Sequence, residues 1–309
     1  MRPEEIDPAD LKVQRIGPVT ILFGYENGKY PHGNSLTVTG SRQTAIIDPS
    51  LGVVARKAVL PSVDMVIHSH VHEDHIAGLH LFPEASCFAH AEDAQGLASL
   101  SGLMEIFGYE GEPAAAWKAS VVKDYFYQSR PDVQSFSNGD KFDLGGVSIE
   151  IIHTPGHTRG HSCLLIDWEN NDERLCVLGD IDLTSFGPYY GDGWSSLVDF
   201  EQSLELLKSV EAHWWLTFHH KGLIEGRREF LTMLEKYSKM IDSRESRLLA
   251  YLSEPRSLDQ IVEHQFIYRP GTGGVMVDQI ERRSMRMHLE RLLQSQEVLV
   301  DAAHRWQAR

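Results

Sequence analysis

Cysteine is scarce in this chain: 309 residues hold only Cys87, Cys163 and Cys176. They stand in apolar surroundings and make no CxxC knuckle, which excludes a disulfide-stapled scaffold and points to a reducing, cytoplasmic compartment. Long apolar runs are missing too. No stretch reaches the roughly 18 residues a membrane span needs, and the charged opening MRPEEIDPAD lacks the apolar segment of an export signal. A soluble protein with no membrane partner is expected. Positive charge is in deficit: 29 Lys and Arg against 44 Asp and Glu give a formal charge of −15, which repels polyanions and disfavours nucleic acid as a partner. What is present is an ordinary globular composition, 42% hydrophobic and 24% charged, over a length that buries a substantial core.

From Val19 to about Asp180 the pattern is one of short β-branched runs punctuated by Gly, Pro and Asn: VTILF (19–23), SLTVT (35–39), TAIID (44–48), DMVIH (64–68), VSIEIIH (147–153), SCLLID (162–167) and RLCVLG (174–179). Several end directly before a His or an Asp, so polar groups gather on loops carried by a rigid scaffold. Segment 92–126 reads as two helices broken near Gly108 to Pro113, and 198–210 as one amphipathic helix. HWWLTFHH looks like a final strand. Beyond Gly226, Phe230, Leu234, Tyr237, Ile241, Leu248 and Tyr251 recur at helical spacing. A boundary placed there divides a catalytic domain, 1–226, from a helical domain, 227–309, with further helices near 257–266 and 276–296 and a closing VLV (298–300).

The densest chemical signal is HSHVHEDHIAG (68–78), with His70, His72, Asp74 and His75 in an HxHxDH arrangement. A single histidine there would read as a surface residue. Four ligand-type residues within six positions read as a metal loop, and alternation puts His70 and His72 on one side while Asp74 and His75 reach another centre. Downstream, HTPGHTRGHS (153–162) presents His157 from a tight turn, VLGD (177–180) ends an apolar strand at Asp180, and FHHKGLIEG (218–226) supplies a late histidine. A carboxylate such as Asp180 can bridge two ions roughly 3.5–4 Å apart.

In this order the motifs resemble the metallo-β-lactamase superfamily over residues 19–226, with HTPGHTRGH similar to its glyoxalase-type and lactonase-type members. The resemblance implies an α+β fold, a four-layer αββα sandwich, here with a small helical or winged-helix-like C-terminal extension. It also implies two divalent metal ions, zinc first, with iron or manganese as alternatives. His70, His72 and His157 would hold one metal and Asp74, His75 and a late histidine the other, with Asp180 between them. Counting back from Gly226 selects His220 over its neighbour His219. Asp74 and Asp180 would be the catalytic carboxylates.

Tyr189 and Tyr190, in the Gly- and Pro-rich GPYYGDGW loop, and His161 are candidate substrate contacts. His68 and His153 read as packed neutral histidines, Trp214 and Trp215 as core, and Asp48 as the cap of the following helix. The PHGNS turn places His32 and Asn34 either near the metals or in a plain β-turn. The expected activity is hydrolysis of a small carboxylic thioester, ester or lactone by a metal-bridging hydroxide, with a small molecule as partner and a homodimer as a further expectation. Three alternatives stand beside it: a phosphodiesterase or ribonuclease, a metal-binding regulatory protein with weak turnover, and an iron oxygenase or electron-transfer member. The flavin-linked di-iron branch is disfavoured because it carries a Glu where His72 stands.

Overall fold

The structure is a computed structural model, and it describes residues 2–169 and 173–309. Seven strands, β1 (Val13–Ile16), β2 (Val19–Leu22), β3 (Ser35–Thr39), β4 (Thr44–Ile47), β5 (Met65–Ile67), β6 (Ser86–His90) and β7 (Gln134–Phe136), lie in chain order in one sheet. The first four are antiparallel, and β4 to β7 are parallel. Six more make the second sheet: β8 (Lys141–Asp143), β9 (Val147–His153), β10 (Ser162–Trp168), β11 (Arg174–Val177), β12 (Trp214–Leu216) and β13 (Leu223–Glu225). All its neighbours are antiparallel except β11 and β12. Of the strands the sequence pattern misses, β1, β7, β8 and β13 are sheet edges, while β6 lies inside the first sheet between β5 and β7.

The two-residue period of the strands explains the layering. Ala45 and Ile47 of β4 and Met65 and Ile67 of β5 point into the interior shared with Leu164, Ile166, Leu175, Val177 and Leu216 of the other sheet. The intervening Ile46, Val66 and Cys87 face outward beneath helices. Cys163, Leu165, Cys176 and Trp215 likewise turn away from the interior to the opposite outer layer. Strands buried on both faces read as continuous apolar runs for this reason.

Four short or broken helices, α1 (Tyr25–Gly28), α2 (Leu51–Ala55), α3 (Glu73–Ile76) and α4 (Ala94–Ala98), precede α5 (Leu100–Phe107) and α6 (Gly111–Asp124). Gly108 ends α5 in the left-handed conformation, φ 62°, as glycine does at helix C-termini. Leu97, Leu103, Ile106, Phe107 and Val121 cover the first sheet. The second sheet is covered by α7 (Leu197–Leu207), α8 (Arg227–Tyr251), α9 (Leu258–His264) and α10 (Val275–Gln294), closed by the hairpin β14 (Val298–Val300) and β15 (Trp306–Ala308). The apolar cluster under this sheet runs unbroken across Gly226, where Phe230 stacks on Trp215 with centroids 3.5 Å apart. No helix among the described residues is long and apolar enough to cross a membrane.

Two arginines, one buried and one half-buried, tie the C-terminal helices to the loops around the site. Arg244 of α8, 1% exposed, donates to the carbonyls of Phe186 and Pro188 at 2.6 Å each and to the Tyr190 hydroxyl at 2.9 Å. Arg283 of α10 donates to the carbonyls of Phe107, Gly108 and Gly191.

Candidate metal centre

The loops after β5, β9, β11 and β12 meet at one edge of the sandwich. His70, His72, His157 and Asp180 form one group, and Asp74, His75 and His219 a second, the donor atoms of each lying within 4.8 Å of one another. In the first, His70 Nε2 is 3.2 Å and His157 Nε2 is 2.9 Å from His72 Nδ1. In the second, His219 Nε2 is 3.0 Å from Asp74 Oδ2. Asp180 faces both, with Oδ2 3.2 Å from His157 and Oδ1 2.8 Å from His75.

The hydrogen bonds on the far side of each ring decide what the near side offers. His157 Nδ1 donates to the Tyr189 carbonyl at 3.0 Å. His219 Nδ1 donates to the carbonyls of Gly28 and His32 at 2.7 and 3.0 Å. His75 Nδ1 lies 3.1 Å from Asp48 Oδ2, and His70 Nδ1 3.1 Å from the Ser69 hydroxyl, which itself donates to Asp48 at 2.6 Å. With these outer nitrogens protonated, the inner nitrogens of the neutral rings carry lone pairs. Lone pairs and carboxylate oxygens therefore converge in a buried space with no donor between them, an arrangement that fits divalent cations. Absent a cation, protons would take that place. Burial alone would lower His219, but Asp182, Asp180 and Asp74 together raise it to about 10.

The late histidine that joins the acidic group is not the one chosen by counting. His219 is 4% exposed and aimed at Asp74, while His220 is exposed and belongs to neither group. The turn from Thr217 to Gly222 is the cause: Thr217 N–H donates to Gly222 O, and His220 takes a left-handed φ of 59° that throws its side chain to the rim. Gly226, the residue used for counting, follows a whole hairpin strand and precedes α8 instead.

Three further expectations change. Tyr190 is 1% exposed and does not border the cavity; its hydroxyl meets His288 Nε2 at 2.9 Å and Arg244, so it joins α8 and α10. His161 is wholly buried behind Asp180. Its Nδ1 donates to the Thr154 carbonyl at 2.9 Å and its Nε2 accepts the Asp180 backbone N–H at 3.2 Å; burial lowers it to about 3, which keeps it a neutral acceptor. Asp48 caps nothing, since Ser50 caps α2. Instead its carboxylate accepts from the Ser69 N–H at 2.7 Å as well as from the Ser69 hydroxyl. Tyr189 does border the cavity, but its hydroxyl donates to Asp192 Oδ1 at 3.2 Å. His68 is fully buried and lowered to about 4 by that burial, and His153 turns away to the Arg159 carbonyl. Asn34 and His32 belong to the turn that backs His219.

Several site residues carried no local signal. Asp93, 22 residues or more from its partners, accepts from Val71 N–H at 3.3 Å, Thr158 hydroxyl at 2.6 Å and Gly160 N–H at 2.8 Å, fastening the HxHxDH loop to the TPGHT turn. Asp192 lies 3.4 Å from His72 Nε2, and burial raises it to about 6. Two glycines are dictated by close approach. A Cβ on Gly156, φ 130°, would stand 2.3 Å from the Phe200 backbone, and one on Gly179, φ 53°, 2.6 Å from His161 Nε2.

The metallo-beta-lactamase superfamily model matches residues 30–236. The chain belongs to the metallo-beta-lactamase superfamily. The chain is similar to the human protein named acyl-coenzyme A thioesterase MBLAC2, 25% identical over 51% of this chain and 60% of that one. The matches to the first curated relatives thus span about 60% of their length. It is also similar to the metallo-beta-lactamase fold-containing protein ST1585 of Sulfurisphaera tokodaii, 25% identical over 67% of this chain and 77% of that one. Among solved structures, the Thermus thermophilus family protein TTHA1429 aligns at TM-score 0.69 and 20% identity over 95% of this chain and 99% of its own. At that identity the likeness concerns the fold.

Proposed function

We propose that this superfamily member is a dinuclear hydrolase of a carboxylic thioester or ester, with zinc in both sites. The observation that carries it is the convergence of seven ligand-type side chains into two groups joined by Asp180. His70, His72 and His157 would hold one ion and Asp74, His75 and His219 the other. When bound, two divalent ions supply Lewis acidity and a nucleophile at neutral pH.

The chain's own residues do the rest. Asp180, fixed by His161 through its backbone N–H, sets the separation of the two groups and orients what lies between them. Asp48 and Ser69 hold the HxHxDH loop rigid from behind, so the ligands need no rearrangement on loading. The cavity of about 440 Å³ beside the site is walled largely by aromatic side chains, which exclude water from the reacting bond.

The choice of a carboxyl centre over a phosphodiester rests on charge. Five carboxylates, Glu73, Asp74, Asp180, Asp182 and Asp192, line the cavity. A phosphodiester carries its negative charge at the reacting centre itself, where these acidic side chains repel it, whereas a thioester or ester carbonyl is neutral. The names of two relatives, MBLAC2 and an atrochrysone carboxyl ACP thioesterase of Passalora fulva, support the thioester reading. The test is turnover of a thioester, a lactone, a β-lactam and a phosphodiester by metal-analysed protein, with Asp180→Asn as control. Preferential thioester or ester cleavage, lost in the variant, is expected; phosphodiester preference would refute the reading.

A further inference from the structure

Resting on that hydrolase reading, we propose that the cavity is an acyl pocket for an uncharged apolar chain, with α10 as the wall that sets which acyl groups enter. The cavity is lined by residues of the metal groups, by Met276, Val277 and Ile280 on the first turns of α10, and by Phe107 and Trp117. These side chains come from outside the metal loops, so the C-terminal helices complete the pocket.

Most of its tyrosine hydroxyls are already engaged within the protein. The hydroxyls of Tyr109 and Tyr189 donate to Asp192 Oδ1 at 2.9 and 3.2 Å, and that of Tyr30 to Glu73 at 3.0 Å. The aromatic rings are left to face the substrate while their donors face carboxylates. Among the described residues lining the cavity there is no Lys or Arg. A carboxylate at the far end of an acyl group would lose its water and meet no Lys or Arg, with the Trp117 indole N–H as an unpaired donor in the lining. A methyl terminus there gains burial against Met276, Val277 and Ile280.

Tyr268 is fixed as part of the same wall. Glu281 of α10 accepts the backbone N–H groups of Phe266, Ile267 and Tyr268 at 3.1, 2.9 and 2.7 Å, and Arg283 binds the loops at Phe107 and Gly191. The wall is therefore built on a held helix, which favours shape selection over accommodation.

The experiment compares the metal-loaded full chain on matched N-acetylcysteamine thioesters, hexanoyl against adipoyl, which differ only by a terminal carboxylate. The expected kcat/KM ratio is at least tenfold in favour of hexanoyl. Met276→Lys, which puts an ammonium on the wall, should reduce that ratio at least fivefold, and Val277→Trp should lower the hexanoyl-to-acetyl ratio. Because Met276 is only partly buried, its variant remains informative if Val277→Trp fails to fold. Calorimetric binding of 1-octanol reads the pocket without turnover. Ratios near one that neither variant moves overturn the acyl pocket while leaving the hydrolase reading intact. Octanol binding with no thioester cleaved overturns the hydrolase reading instead, and absence of both overturns the two together.

Discussion

Replacing Arg244 with Met tests whether the C-terminal helices hold the loop that borders the site. The guanidinium makes two hydrogen bonds of 2.6 Å to the carbonyls of Phe186 and Pro188 and one of 2.9 Å to Tyr190. Hydrogen bonds with a charged partner contribute about 1.5–3 kcal/mol each. Phe186 is exposed, so water can replace the donor there, whereas Pro188 is buried and its carbonyl would stay unsatisfied. Methionine recovers roughly 1–2 kcal/mol by burial and spares the desolvation of the charge. The net expected loss is about 2–4 kcal/mol, read from the shift of the urea midpoint at unchanged slope. Arg244→Lys should recover little, because one ammonium cannot span carbonyls on both sides of the loop. Since Phe186 and Tyr189 border the cavity, KM for the preferred substrate should rise as well. A midpoint loss below about 0.5 kcal/mol, the range of a neutral surface change, would refute the reasoning.

The late ligand is separable by a pair of variants: His219→Ala should bind about one metal per chain by elemental analysis, while His220→Ala keeps two, and the reverse result would reinstate His220. Asp48→Ala removes the partner of His75 Nδ1 and Ser69, and a fall of about tenfold to a hundredfold in zinc affinity by competition titration is expected. Gly156→Ala should lower the thermal midpoint and disturb His157, because its Cβ meets the Phe200 backbone rather than a side chain that can yield. His90 is lowered to about 4 by burial and by His153 beside it. Between pH 6.5 and 4 the unfolded chain binds the proton that the folded chain refuses, so stability falls as pH drops through that window. His90→Phe should flatten that slope in pH-dependent denaturation, and an unchanged slope would count against it.

Much of the site could be read from the sequence because its information is local. The spacing of His70, His72, Asp74 and His75 along one turn is a property of the chain, and so is the ending of apolar strands at His153, Asp180 and the late histidines. The two-sheet architecture came from the resemblance to the family; the apolar runs marked only the strands, which stay apolar because they are buried on both faces. Short edge strands such as β7 and β13 escaped because three residues carry too little pattern.

What tertiary structure decided lies in contacts between distant segments. His219 rather than His220 faces Asp74 because a left-handed residue in the turn rotates one of two adjacent histidines inward, a backbone choice that residue types do not encode. Asp48, Asp93 and His161 hold ligands across 19 to 67 residues, where no motif spacing connects them. Tyr189 and Tyr190 are identical neighbours in sequence, yet one borders the cavity and the other is locked between α8 and α10. The sequence by itself determined which side chains are of ligand type, where they cluster along the chain and where most strands run. Only the packing of the C-terminal helices onto the second sheet decided the apolar wall of the space in which that chemistry would act.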